Sequence, residues 1–317
     1  MVENENLSSL ITIVVVTSPI QSNPSTELLD RCLSSIIRTW PQLAECPKVI
    51  AADGCRECAP GKNRKRVFGK ADAATIHRYH MFLDTLNARP WLTVNRPRPI
   101  DELSTEWSGF AITLQKAIED HVTTPLVFVT PHDYELEDES LVDVTIDRLA
   151  RAILDSSKER RVNYVGLPNA KTLTFHKRHT IALEGLETIL LRGDPAISLI
   201  PLGLWKENPH LASVQTYRDF VFGENGLHRF KRGHFIEDTL GQKMLQVLKS
   251  THEDKQSCFN SFGTYLLQSK APCTHHINGI SYVETKERAC RGYSLAKDFE
   301  IQRSEAAVEF VRRMNEH

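Results

Sequence analysis

Residues Ile11–Ser18 read ITIVVVTS. A short, unbroken apolar run rich in β-branched side chains fits a strand buried on both faces, as in a parallel sheet covered by helices. After the polar, proline-containing turn Gln21–Thr26, the apolar residues Leu28, Leu29, Cys32, Leu33, Ile36 and Ile37 recur at helical spacing, and the pattern stops at Trp40-Pro41. Strand, turn and helix form a βα unit, and the rest of the chain is read outward from it.

Lys48–Gly54 (KVIAADG) predicts a second short strand that emerges into a loop at an acid and a glycine, which leaves Asp53 accessible. Between Cys55 and Glu106 the spacing predicts a helix over Ile76–Leu86 and an irregular Pro- and Arg-rich loop over Arg89–Pro99. Gly109–Asp120 has Phe110, Leu114, Ala117 and Ile118 on one helical face, and Pro125–Val129 (PLVFV) is another buried strand. The loop Thr130–Leu136 (TPHDYEL) then leads into a helix carrying Leu141, Thr145, Leu149 and Ile153. This alternation argues for a doubly wound α/β sheet. Further on, Val162–Leu167 and Ile197–Leu202 are strand candidates, and the aromatic, glycine-containing stretch Tyr217–Arg229 reads as substrate-facing. A helix is expected within His234–Leu248, and an amphipathic one over Phe299–Met314.

The composition excludes several function classes. Thirty-nine basic and forty acidic residues balance to a net charge of -1, so nucleic acid is not the expected partner, and the basic run Gly61–Arg66 reads as a solvated loop. The longest apolar stretch, Ile11–Thr17, is far short of the roughly 20 residues of a membrane-spanning helix. The polar, acidic first ten residues lack the pattern of an export signal, and seven cysteines in no dense framework suit a reducing compartment, so a cytoplasmic protein is expected. Cys55 and Cys58 have CxxC spacing without a matching second pair. Trp205, Tyr217, Phe220 and Phe222 read as core rather than as a sugar platform.

In an open α/β sheet, ligands bind at the carboxyl ends of the strands, so Asp53 and Asp133 are expected to converge on one crevice. Taken singly, each acid reads better as a helix cap or turn residue. Their order, with Thr17 ending the first strand, Asp53 the second and His132-Asp133 a later one, resembles the family 2 glycosyltransferases over roughly residues 11 to 250. The resemblance implies a GT-A-type mixed sheet flanked by helices, with a nucleotide-sugar-binding half (1–150) followed by an acceptor-binding half (151–317) of the same domain. It implies that Thr17, Asp53 and His132 contact the nucleotide-sugar donor. Asp133 would hold a divalent metal, Mn²⁺ or Mg²⁺, against the leaving diphosphate, as a hard cation prefers carboxylate oxygen. His132 stands where the family has its first acid, and Glu135 is the nearest second acid.

Glu237-Asp238, opening an amphipathic helix in HFIEDTLGQKML, is similar to the family's ED motif. By matched position Asp238 is the general base that takes the acceptor's proton in an inverting displacement, with Glu237 in support. Acids also favour the first turn of any helix. A late histidine serves the metal or diphosphate in some GT-A enzymes, and of His275 and His276 the second is taken here. The implied partners are a nucleotide-sugar and a glycan, glycolipid or other hydroxyl acceptor. Gln215-Thr-Tyr-Arg218-Asp219 departs from the processive Gln-x-x-Arg-Trp pattern, which favours one sugar per encounter. Alternatives are a catalytically inactive GT-A-like nucleotide- or carbohydrate-binding protein and a nucleotidyltransferase. The absence of glycine from Thr17–Thr26 counts against the latter and against a dinucleotide-binding fold.

Overall fold

A computed structural model describes residues 6–58, 70–100, 105–173, 175, 179–193, 195–224, 229–251, 253–277 and 282. The basic run Gly61–Arg66 and the helix expected over Phe299–Met314 lie outside the described residues. The first half supplies strands β1 (Ile11–Thr17), β2 (Lys48–Ala52), β3 (Arg56–Glu57), β4 (Lys70–Ala71), β5 (Thr93–Asn95), β6 (Leu126–Pro131) and β7 (Tyr134–Leu136). The second supplies β8 (Tyr164–Gly166), β9 (Ile189–Leu191), β10 (Ile197–Pro201), β11 (His210–Ser213), β12 (Thr264–Leu267) and β13 (Thr274–His276).

Nine of these strands form one mixed sheet in the order β5-β2-β1-β6-β11-β8-β12-β10-β9, so strands from both halves share a single hydrogen-bonded layer. β1 lies between β2 and β6, parallel to both, and every one of its residues is buried. This is why its sequence does not alternate. Helices flank the sheet. Glu27–Thr39 and Phe110–His121 follow the predicted patterns, and the latter packs on β1 and β2. Among the described residues, no helix is long and apolar enough to cross a membrane.

Four stretches differ from expectation. Arg89–Pro99 is not wholly irregular, because Thr93–Asn95 adds to the edge of the sheet beside β2. The loop expected over Thr130–Leu136 is a tight turn at His132-Asp133 between β6 and β7. The helix expected through Leu141–Ile153 breaks where Thr145 caps a new helix, Ile146–Leu154, its side chain accepting from Arg148 N. The helix within His234–Leu248 begins as a π-helical turn, Glu237–Gly241, before Gln242–Ser250 becomes α-helical. Trp205 and Tyr217 are fully buried core, as their spacing suggests, and Cys55 and Cys58 are free thiols.

The topology gathers several strand ends at one edge of the sheet. β1, β2 and β6 run parallel, so their carboxyl ends coincide. β11 is antiparallel to β6, with His210 opposite Val129, which brings the loop preceding His210 to that same edge. β8 pairs His210 through Gly166, so its carboxyl end lies there too.

Candidate active site

At the end of β1, Thr17 is 1% exposed and its hydroxyl has no hydrogen-bond partner among the described residues. Its carbonyl accepts the amide of Asp53 at 2.9 Å. Asp53 does not have the accessibility expected of it. It is 6% exposed, because its carboxylate turns back onto the segment that starts the helix Phe110–His121. Oδ1 accepts from Gly54 N (2.8 Å), Ser108 N (2.9 Å), Gly109 N (3.1 Å) and Thr113 Oγ1 (3.1 Å), and Oδ2 also accepts from Gly109 N (3.1 Å). Burial raises this carboxyl's pKa, while the surrounding donors pull against that rise.

That cap reaches the second half of the chain. Gly109 adopts φ +82°, and a Cβ there would meet the Gly233 backbone at 2.6 Å. Gly233 N donates to Ser108 O at 2.9 Å, and the Phe110 and Phe235 rings stack at 6.3 Å. The backbone that leads into Glu237-Asp238 is thus docked on the segment that Asp53 holds.

His132 is buried and faces the sheet. Its amide donates to Val16 O at 3.0 Å, and ring Nδ1 lies 3.2 Å from the same carbonyl. A carbonyl only accepts, so Nδ1 carries the proton, and Nε2 is left buried without a partner among the described residues. The next residue meets the chain's far end. β13 pairs antiparallel with β7, placing His276 opposite Tyr134, and Ile277 N donates to Asp133 O at 2.8 Å. His276 Nε2 then lies 3.0 Å from Asp133 Oδ2, and this bond raises the imidazole's pKa. Glu135 forms a two-point ion pair with Arg31, at 2.6 and 3.0 Å, and so is not the second metal acid.

Carboxylate and imidazole are suitable donors for Mn²⁺, and Asp133 and His276 already converge, so these residues fit a divalent cation in part. Among the described residues no group of three or more His, Cys, Asp or Glu side chains gathers. Diphosphate oxygens and water would have to complete a coordination shell.

Tyr134 packs its ring 4.8 Å from that of His276. Its hydroxyl donates to Asn208 Oδ1 at 3.2 Å. Burial first, then the charges of Asp133, Glu237 and Glu207, push its pKa up to about 12. The loop Lys206-Glu207-Asn208 was not singled out by sequence reasoning. A buried network holds it in place: Tyr164 OH donates to Lys206 O (3.2 Å), and His210 Nδ1 to Asn208 O (2.6 Å). The Tyr217 hydroxyl donates to His210 Nε2 (2.6 Å), and burial lowers the His210 pKa to about 4, keeping that nitrogen an acceptor. Lys206 Nζ pairs with Glu237. Glu207 accepts from the amides of Ile236 and Glu237, the second at 3.1 Å. Asp238 is exposed, and its carboxylate has no hydrogen-bond partner among the described residues. The signal available in the sequence was a pair of charges, Lys206-Glu207, set between a core tryptophan and a buried strand.

No protein-family model matches the chain, and no curated protein sequence does. Among solved structures it is similar to S. aureus TarS 1-349 in complex with UDP-GlcNAc, at 12% identity and a TM-score of 0.39, covering 88% of this chain and 63% of that one. It is also similar to the galactosyltransferase LgtC in complex with donor and acceptor sugar analogs, at 11% identity and a TM-score of 0.31, covering 80% and 72%. A third is the bifunctional glycosyltransferase WbbM, at 11% identity and a TM-score of 0.31, covering 82% and 38%. The chain spans less than two thirds of the TarS and WbbM chains.

Proposed function

We infer that this chain is a glycosyltransferase that moves a sugar from a nucleotide-sugar donor to an acceptor hydroxyl, with inversion and one sugar per encounter. The observation that carries the reading is the link made by Tyr134, whose ring lies 4.8 Å from that of His276 in the Asp133–His276 pair and whose hydroxyl donates to Asn208 in the loop whose Lys206 pairs with Glu237, next to Asp238. These groups come from four separate segments at the carboxyl edge of the sheet, where α/β folds bind ligands.

The roles follow from the surroundings. Asp238, exposed and with its carboxylate lacking a hydrogen-bond partner among the described residues, is the group able to accept a proton from an incoming hydroxyl. As that oxygen attacks the anomeric carbon from one side, the bond to the diphosphate oxygen breaks on the other, and the proton passes to Asp238. Glu237, engaged by Lys206, supports the turn. Asp133 and His276 would hold the divalent cation, which neutralises charge on the leaving diphosphate when bound. Thr17 and His132, which stand at the carboxyl ends of β1 and β6, would border the donor side. Asp53 shapes the donor side by holding Ser108 and Gly109.

The test joins a melting-temperature screen of UDP, GDP, CMP and TDP, each with and without Mn²⁺, to transfer and donor-hydrolysis assays of wild type and Asp238→Asn. One nucleotide should stabilise the fold, and the Asn variant should bind it equally while losing about 10²–10⁴-fold in transfer. Equal nucleotide binding with turnover by neither protein would make the chain a binding protein. Stabilisation by no nucleotide would remove the donor from the reading.

A further inference from the structure

Glu207 stands directly behind the ED turn, half-buried, with its carboxyl turned onto the backbone of that turn. One carboxyl oxygen, Oε1, accepts two successive backbone amides, those of Ile236 and Glu237. These are the residues on which the π-helical turn Glu237–Gly241 opens, so their N–H groups have no partner within the helix itself. Thr239 Oγ1 donates to Phe235 O at 2.6 Å and Gly241 N to Ile236 O at 2.9 Å, which closes the turn around that cap. The loop bearing Glu207 is itself fixed through Tyr164, His210 and Tyr217.

We propose that Glu207 is a positioning residue for the transfer reaction: its carboxyl oxygen sets the backbone of residues 236 and 237 and so aims Asp238 at the acceptor. The assignment rests on the transferase reading above. Burial, joined by the nearby charges of Glu237 and Asp238, pushes the Glu207 carboxyl up to about 8, so near neutrality it is chiefly protonated. Its carbonyl oxygen still accepts both amides in that form, which a glutamine reproduces and a shorter acid does not.

Glu207→Gln and Glu207→Asp are therefore compared with wild type at pH 7 for kcat, donor KM and amide hydrogen exchange across 236–241. The Gln variant should stay within about threefold of wild type in kcat, with its amides equally protected. The Asp variant, one methylene short, should lose about tenfold or more in kcat with donor KM within about twofold, and the 236 and 237 amides should exchange faster. Wild-type kcat and protection in the Asp variant would overturn the assignment. A Gln variant that loses as much kcat as the Asp variant would overturn it too, by making the ionised carboxylate the working group. An active wild type with an indifferent Asp variant sinks only this proposal, whereas a wild type that transfers no sugar sinks the transferase reading and this proposal with it.

Discussion

Asp53 and Asp238 both lie at the candidate site, one carboxylate gathering protein donors and the other free of hydrogen bonds among the described residues. Removing the Asp53 carboxylate leaves three amides and a hydroxyl without their acceptor in a buried place. Asp53→Ala should therefore cost about 2–4 kcal/mol, read as a lowered denaturation midpoint. Glu207 makes the expected pH effect at this scale. Its carboxyl titrates near its ordinary value when unfolded and at about 8 when folded, so between these the native state binds more protons and stability falls as pH rises, levelling above about 8. The charged and titratable groups facing it are Lys206 beside it, Glu237 and Asp238 on the turn it caps, and Tyr134, Tyr164 and Tyr217. Glu207→Gln should lack that slope, so its melting temperature should gain on that of wild type from pH 5 to pH 8. Equal slopes for the two proteins would refute this. Asp53 also shows where sequence reasoning stops: that an acid follows an apolar strand was readable, but whether its carboxylate faces ligand or the next helix depends on residues 108–113, which pattern does not place.

Elements govern how these residues meet. The segment 105–109 and the segment 231–235 touch backbone to backbone at Gly109 and Gly233, a contact that tolerates no Cβ. Gly109→Ala combines a positive φ with a 2.6 Å clash against main chain, and should cost about 2–4 kcal/mol and lower transfer by disturbing the approach to Asp238. Paired melting and activity measurements check it, and a silent variant would show that this contact positions nothing. The β7–β13 ladder is the second such device. His276→Ala should abolish any Mn²⁺-dependent part of the nucleotide-induced melting shift while leaving the metal-independent part, and Asp133→Ala should do the same. The longer elements were readable: β1 as an unbroken β-branched run, and the helices Glu27–Thr39 and Phe110–His121 from their period. The three-residue strands β5, β7 and β13 were not, because so short a stretch carries no period and exists only through its partner.

At the scale of the molecule, one sheet unites both halves of the chain, and the candidate site uses both: Thr17, Asp53, His132 and Asp133 from the first, the 206–208 loop, Glu237, Asp238 and His276 from the second. Strand direction explains why acids distant in sequence reach the same edge, and that much followed from the βα alternation. The insertion of antiparallel β11 between β6 and β8 did not, and it is this insertion that delivers Lys206-Glu207-Asn208 to the edge. The Asp133–His276 pair is also a late event in the molecule's own synthesis. Its two members are 143 residues apart, so a ribosome adding roughly 5–20 residues per second lays down β1 to β6 well before the histidine exists. A nascent chain arrested ahead of Thr274 carries the first-half strands without the strand that completes the pair, which forms only in chains long enough for β13 to clear the exit tunnel.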